Sequence, residues 1–162
     1  MNIHEYQAKE LFNEYNIPVS NGSVAFSKKE IEQSVKEIPG PIWVVKAQVH
    51  AGGRGKGGGV KVVSSSDEAI NSAENMFGMN LITPQTGKKG KIVNRVYIEN
   101  GSDIEKELYL SCLVDRATSK IAFIVSMLHH EQMSCCCHPE NDGVLINPDM
   151  CKSPAFRIHI CW

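Results

Sequence analysis

The stretch Ile42-Trp-Val-Val-Lys-Ala-Gln-Val-His-Ala-Gly-Gly-Arg-Gly-Lys-Gly-Gly-Gly-Val-Lys-Val-Val63 decides how this chain is read. Ile42 to Lys46 is an apolar run ended by a lysine, and Val60 to Val63 is a second β-branched run; both predict strands. Between them, from Gly52 to Gly59, lie six of the chain's 13 glycines. Glycine loses more backbone freedom on folding than any other residue, so a plain turn has little reason to collect six. A ligand approaching the backbone supplies one. Successive N–H groups unhindered by side chains converge on an anion, Arg54 and Lys56 add positive charge, and phosphate is the first candidate. A flexible hairpin tip is the alternative reading.

Spacing narrows the chemistry. Gly53-x-Gly55-x-x-Gly58 satisfies a dinucleotide fingerprint formally, but that motif opens a helix, whereas Val60 to Val63 reads as a strand. No Gly-Lys-Ser/Thr ends the loop, which excludes a P-loop. A glycine loop between two strands is the arrangement with which protein kinases cover nucleotide phosphates, and Gly53 to Val60 fits that string. Neither a His-Arg-Asp nor an Asp-Phe-Gly sequence accompanies it, so kinase chemistry is excluded while a nucleotide is not. Lys46, just before the loop, is placed to reach phosphates, or is an ordinary strand-end lysine. Glu99 ends one predicted strand and Glu107 opens another; a carboxylate there suits ribose hydroxyls or an adenine amine, or is a solvated strand end. His50 is either a phosphate contact or a structural or exposed loop histidine.

Outward from the loop, His4 to Tyr15 spaces Tyr6, Leu11, Phe12 and Tyr15 as an amphipathic helix ended by Asn16 and Pro18. Ser23 to Phe26 predicts a short strand. Ser27-Lys-Lys-Glu30 has capping-box spacing and opens a helix carrying Ile31, Val35 and Ile38 on one face, stopped at Pro39-Gly40-Pro41. Ser65 and Ser66 are caps for a helix from Asp67 to Phe77, with Gly78 just beyond its end. Ile92 to Glu99 and Glu107 to Val114 alternate apolar and polar residues as half-buried strands do; Arg116 to Lys120 turns the chain into a strand from Ile121 to Val125. The order predicts an α+β or mixed α/β fold without internal repeats.

The chain has 162 residues, 17 Lys and Arg against 18 Asp and Glu, 42% hydrophobic and 22% charged residues. That fits one domain of ordinary size, or one and a fraction, with a core to bury. Near-neutral charge and the lack of aromatics interleaved with Lys46, Arg54, Lys56 and Lys61 argue against nucleic acid. Without an apolar run near the ~20 residues that span a bilayer, and without a leader pattern at the start, the expected location is the cytoplasm and no membrane is expected as a partner. Thiols stay reduced there.

The residues Met1-Asn-Ile-His-Glu-Tyr-Gln-Ala-Lys-Glu-Leu-Phe12, Trp43 to Val63, Lys106-Glu-Leu-Tyr-Leu110 and Val114-Asp-Arg116 closely resemble the beta subunit of succinyl-CoA synthetase over about residues 1 to 126. The resemblance implies an ATP-grasp fold, in which two α+β subdomains hold a nucleotide between them. It also implies that Lys46, Gly53, Arg54, Gly55, Glu99, Ser102 and Glu107 surround that nucleotide; Ser102 comes from the resemblance alone. In that family ATP or GTP with Mg²⁺ phosphorylates a histidine of the alpha subunit, coupled to interconversion of succinyl-CoA and succinate in the tricarboxylic acid cycle. Coenzyme A is held mainly by alpha. The task of this part is then positioning and charge neutralisation, with no catalytic nucleophile in the chain. By this analogy His4 is not the phosphorylated histidine.

After Ser126 the family pattern stops. It implies a metal-binding asparagine and aspartate and a C-terminal domain contacting alpha, and 127–162 resembles neither, so no metal ligand is expected in this chain. Ile146-Asn147-Pro148 echoes the metal asparagine's surroundings but comes too early, and Asn147 is not assigned. Five of the six cysteines fall in this segment: Cys135, Cys136, Cys137, Cys151 and Cys161. Together with His138 and His159 they offer ligands, yet without the paired spacing of a zinc site. The expectation is a partial ATP-grasp nucleotide-binding domain over 1–126 and a divergent, poorly ordered tail over 127–162, the chain alone being inactive as a ligase. Two alternatives stand beside it: a noncatalytic, truncated protein that binds the alpha subunit, and the beta subunit of another acid-CoA ligase such as malate-CoA ligase.

Overall fold

In the computed structural model, residues 3–127 and 156–161 are described, and the chain divides into two compact units, Met1–Ser102 and Asp103–Trp162. The first unit is built on a four-stranded antiparallel sheet. Its strands are β1 (Gly22–Ala25), β2 (Trp43–Ala47), β3 (Val60–Val63) and β6 (Val96–Asn100), in the order β1-β6-β2-β3. Helices α1 (Glu5–Glu14), α2 (Lys28–Glu37) and α3 (Ser66–Met76) flank it, and a short ribbon of β4 (Asn80–Leu81) with β5 (Lys91–Ile92) is added beyond α3.

The helices begin and end where their sequences dictate. Ser65 Oγ accepts from the Glu68 N–H at 3.2 Å, capping α3 as its serine predicts. At α2 the Ser27 hydroxyl donates to Glu30 at 2.7 Å, while the other Glu30 oxygen takes the N–H of Phe26 rather than that of Ser27. The Trp43 indole donates to the Ile38 carbonyl at 3.0 Å and fastens the end of α2 to β2. Asn16 stops α1 with a φ of 57°, in the left-handed region that asparagine tolerates.

One core fills the space between α2, α3 and one face of the sheet. It contains Ile31 and Val35 of α2, Ala69, Ala73 and Met76 of α3, and Ala25, Val45, Val96 and Ile98 of the strands. Leu81 and Val93 close its end. The sheet alternation then sends Lys46, Tyr97 and Glu99 to the opposite face, where α1 lies: Lys9 of α1 pairs with Glu99 and sits over the Tyr97 ring.

Two expectations change. The single half-buried strand Ile92 to Glu99 is two strands. Val93 still bonds the chain just before β4, to Met79 and Gly78 at 3.0 and 2.7 Å, and only after it do Asn94 and Arg95 carry the chain to the other sheet, where the Arg95 carbonyl accepts from Gln48 at 3.0 Å. Nor is its second half half-buried: Val96, Tyr97, Ile98 and Glu99 are all buried, since β6 is an interior strand covered by helices on both faces. In α1, Tyr6 and Ala8 carry the packing, whereas Leu11 and Tyr15 of the predicted apolar face are exposed.

The second unit contains β7 (Lys106–Asp115), paired antiparallel with β8 (Lys120–Met127) through the predicted turn and parallel with β9 (Phe156–Cys161). Asp115 organises that turn, accepting from the Ala117 N–H at 2.9 Å and the Thr118 hydroxyl at 2.7 Å. Within the segment read as a divergent tail, 127–162, the described residues are Met127, which ends β8, and β9. Cys135, Cys136, Cys137, His138, Asn147 and Cys151 lie outside the described residues.

Candidate nucleotide-binding site

The loop between β2 and β3 is organised by Arg54. Its carbonyl accepts the N–H of Gly57 at 3.1 Å and of Gly59 at 2.8 Å, curling the chain back toward β3. Its guanidinium points inward, donating to the Ala47 carbonyl and to Glu5 Oε2, both at 2.7 Å. The glycines divide by cause. Gly57 lies against the Ile82 carbonyl and Leu81, where a Cβ has no room, and Gly53 adopts a φ of +74° beside Pro84. Gly55 does neither: a Cβ there meets nothing within 4 Å and its φ is ordinary. The fold of the loop therefore leaves Gly55 unexplained, while a group passing close over the backbone explains it.

Below the loop, Lys46 is 5% exposed, and its ammonium is held by Glu5 Oε1 at 2.8 Å and by Glu99. Glu99 also pairs with Lys9, which lies 3.6 Å from Glu5. Lys9, Lys46, Arg54, Glu5 and Glu99 thus form one ionic cluster of three cations and two carboxylates between α1, the sheet and the loop. Burial alone raises the pKa of the Glu5 carboxyl. The charges of Lys46, Arg54 and Lys9 outweigh it and hold the group well below the ordinary carboxylate range. The neighbouring Tyr97 phenol is pushed above its usual range by burial and by Glu99, Glu5 and Glu10.

Lys46, Arg54 and Glu99, singled out in the sequence, are therefore brought into direct or one-step contact, with Gly53 and Gly55 on the loop above. Ser102 is exposed at the end of the unit, its hydroxyl 3.4 Å from that of Ser20. Glu107 lies in β7, in the other unit. Sequence reasoning missed Glu5 and Lys9, whose i,i+4 spacing reads as a solvated helix pair. It also missed Gln48, which is buried beside Lys46 with an Oε1 that has no partner among the described residues.

His50 and His4 form a second contact between loop and helix. Their rings stack with centroids 3.8 Å apart, and the His50 carbonyl accepts from Lys91 at 3.0 Å. Burial first, then the charges of His50, Arg95 and Arg54, lower the His4 pKa to about 4 from 6.5. An unfolded chain then binds a proton at His4 that the native chain refuses between those values, so stability falls as pH falls through this window. The melting temperature is expected to drop between about pH 7 and about pH 5, with a shallower slope in His4→Gln; equal slopes by calorimetry would refute the assignment.

A glycine loop over a buried lysine, on an antiparallel sheet backed by two helices, defines the class. Residues 2–129 match the ATP-grasp domain family, and the chain belongs to it. Among its relatives within that family are succinate–CoA ligase [ADP-forming] beta subunits. That of Parvibaculum lavamentivorans is 60% identical over 126 residues, covering 78% of this chain and 32% of the relative. That of Cupriavidus taiwanensis is 58% identical with the same coverage. The chain thus spans about a third of the length of these relatives. Among solved structures, a dinucleotide-forming acetyl-coenzyme A synthetase of Ca. Korarchaeum cryptofilum matches 77% of this chain and 53% of its own, with a TM-score of 0.59 at 23% identity. Phosphoribosylamine–glycine ligase of Thermotoga maritima matches 75% and 27%, with a TM-score of 0.52 at 20% identity. These two likenesses concern the fold. Among the described residues no helix is long and apolar enough to cross a membrane.

Proposed function

We propose that this chain supplies the phosphate-facing part of the nucleotide site of a succinate–CoA ligase beta subunit. Lys46, the backbone of Gly53, Arg54 and Gly55, and Glu99 line it, and the family resemblance adds Ser102 and Glu107 to the nucleotide-binding set. The observation that carries the reading is Gly55, whose missing side chain serves no packing or conformational need of the loop. The buried Lys46 ammonium supports it, being a compact charge suited to phosphate oxygens. The ADP-forming relatives favour ATP over GTP. Mg²⁺, when bound, offsets charge on the transferred group, and its ligands lie outside the residues matched here.

In the complete reaction the phosphoryl group passes to a histidine of an alpha subunit and is coupled to succinyl-CoA and succinate exchange in the tricarboxylic acid cycle. The role of these 162 residues is to orient the polyphosphate and neutralise it. By themselves they bind nucleotide weakly and do not turn over, since an ATP-grasp site needs walls from two subdomains. Calorimetric titration with ADP and GDP tests this. Saturable binding that Gly55→Val removes while the melting temperature holds is expected. No binding of either nucleotide overturns the reading, and succinate-dependent CoA ligation by the chain alone overturns the claim of inactivity.

A further inference from the structure

We infer that Glu5 is an internal counter-anion of the phosphate site, bridging Lys46 and Arg54 and displaced from both when a polyphosphate enters. This rests on the reading of the loop as phosphate-binding. Lys46 below the loop and Arg54 of the loop are joined through one carboxylate: Oε1 of Glu5 takes Lys46 at 2.8 Å and Oε2 takes Arg54 at 2.7 Å. This is the two-oxygen geometry with which a phosphate receives the same donors.

The second carboxylate is differently placed. Glu99 lies on the interior strand β6 with a side chain 7% exposed, holding Lys9 as well as Lys46. The Glu5 side chain is 21% exposed and occupies the first position of α1. A rotation about its side-chain bonds carries it to solvent, where the positive end of the helix dipole still favours its charge. Glu5 is thus the mobile anion of the cluster and Glu99 the fixed one. With Glu5 withdrawn, three cations face one carboxylate, and the excess suits a ligand presenting at least two negative oxygens. Ligands with a single charge return less than Glu5 already gives, so the carboxylate selects polyphosphate over simple anions.

The test uses the whole chain, carrying isotopically labelled glutamate, titrated with inorganic tripolyphosphate and separately with ADP. Tripolyphosphate is expected to move the Glu5 carboxyl NMR signal saturably and to leave that of Glu99 nearly in place. In Glu5→Gln, which keeps size and removes the competing charge, tripolyphosphate is expected to bind about tenfold more tightly, as for loss of one charge-assisted contact. The wild-type NMR arm decides the matter should that variant fail to fold. An unmoved Glu5 signal at saturation, equal or weaker binding by Glu5→Gln, or no tripolyphosphate binding by wild type each overturns the inference. ADP separates it from the nucleotide reading: tripolyphosphate displacing Glu5 while ADP fails to bind sinks the nucleotide reading alone, and ADP binding with Glu5 unmoved sinks the inference alone.

Discussion

Lys46→Met is expected to destabilise the 1–102 unit by about 3 kcal/mol and to abolish measurable nucleotide binding. Methionine keeps the length and apolar stem of lysine and removes the ammonium, so the loss reports charge rather than volume. Two carboxylates converge on that ammonium, and Glu99 is buried, so its charge has few alternatives. Lys9 and Arg54 remain to compensate in part, which keeps the cost at the lower end for a broken buried pair. Urea denaturation measures it. The double variant Lys46→Met with Glu99→Leu should recover much of the loss, because removing both charges also removes the stranded anion. A single-variant cost below about 1 kcal/mol, the scale of an exposed pair, would show that the cluster is effectively solvated.

Ile98→Ala carries the largest expected cost to the fold, about 4 kcal/mol. Ile98 is fully buried at the centre of β6, with Ser23 of β1 and Val45 of β2 as its cross-strand neighbours. Strands hold both sides and helices cover the core face, so the site has little freedom to collapse onto the lost atoms. Ile98→Val should cost only about 1 kcal/mol. Denaturant midpoints compared at constant slope give both values, and an alanine variant within about 1 kcal/mol of wild type would mean that the core relaxes around the cavity.

The fold was legible where local sequence determines local structure. The glycine loop separates β2 from β3, Ser65 caps α3, and the positions Ile31, Val35 and Ile38 mark the buried face of α2 and its exit. Legibility failed where the determinant was distant. Nothing around Val93 announces that the chain abandons one ribbon to become the interior strand of another sheet, because that depends on partners some seventy residues earlier, as in Ser23↔Ile98. The same limit governs the site. Lys46 and Arg54 stand beside the glycines and could be named from them, whereas Glu5 and Lys9 acquire meaning only once α1 is laid across β6. An i,i+4 acid–base pair on a helix looks the same facing water or facing a buried lysine.

The strand order also sets a timetable for synthesis. β1 has a single partner in the sheet, β6, and β6 is the last of the four strands to be made. While the nascent chain ends before Val96, β2 and β3 can pair across their loop, but β1 has nothing to join and the apolar faces of α2 and α3 lack their central support. The four-stranded sheet therefore cannot close before Val96 to Asn100 has been made. Until then Glu5 and Lys46 have no Glu99 to complete their cluster, so the ionic cluster on one face of the sheet and the core on the other come into being together.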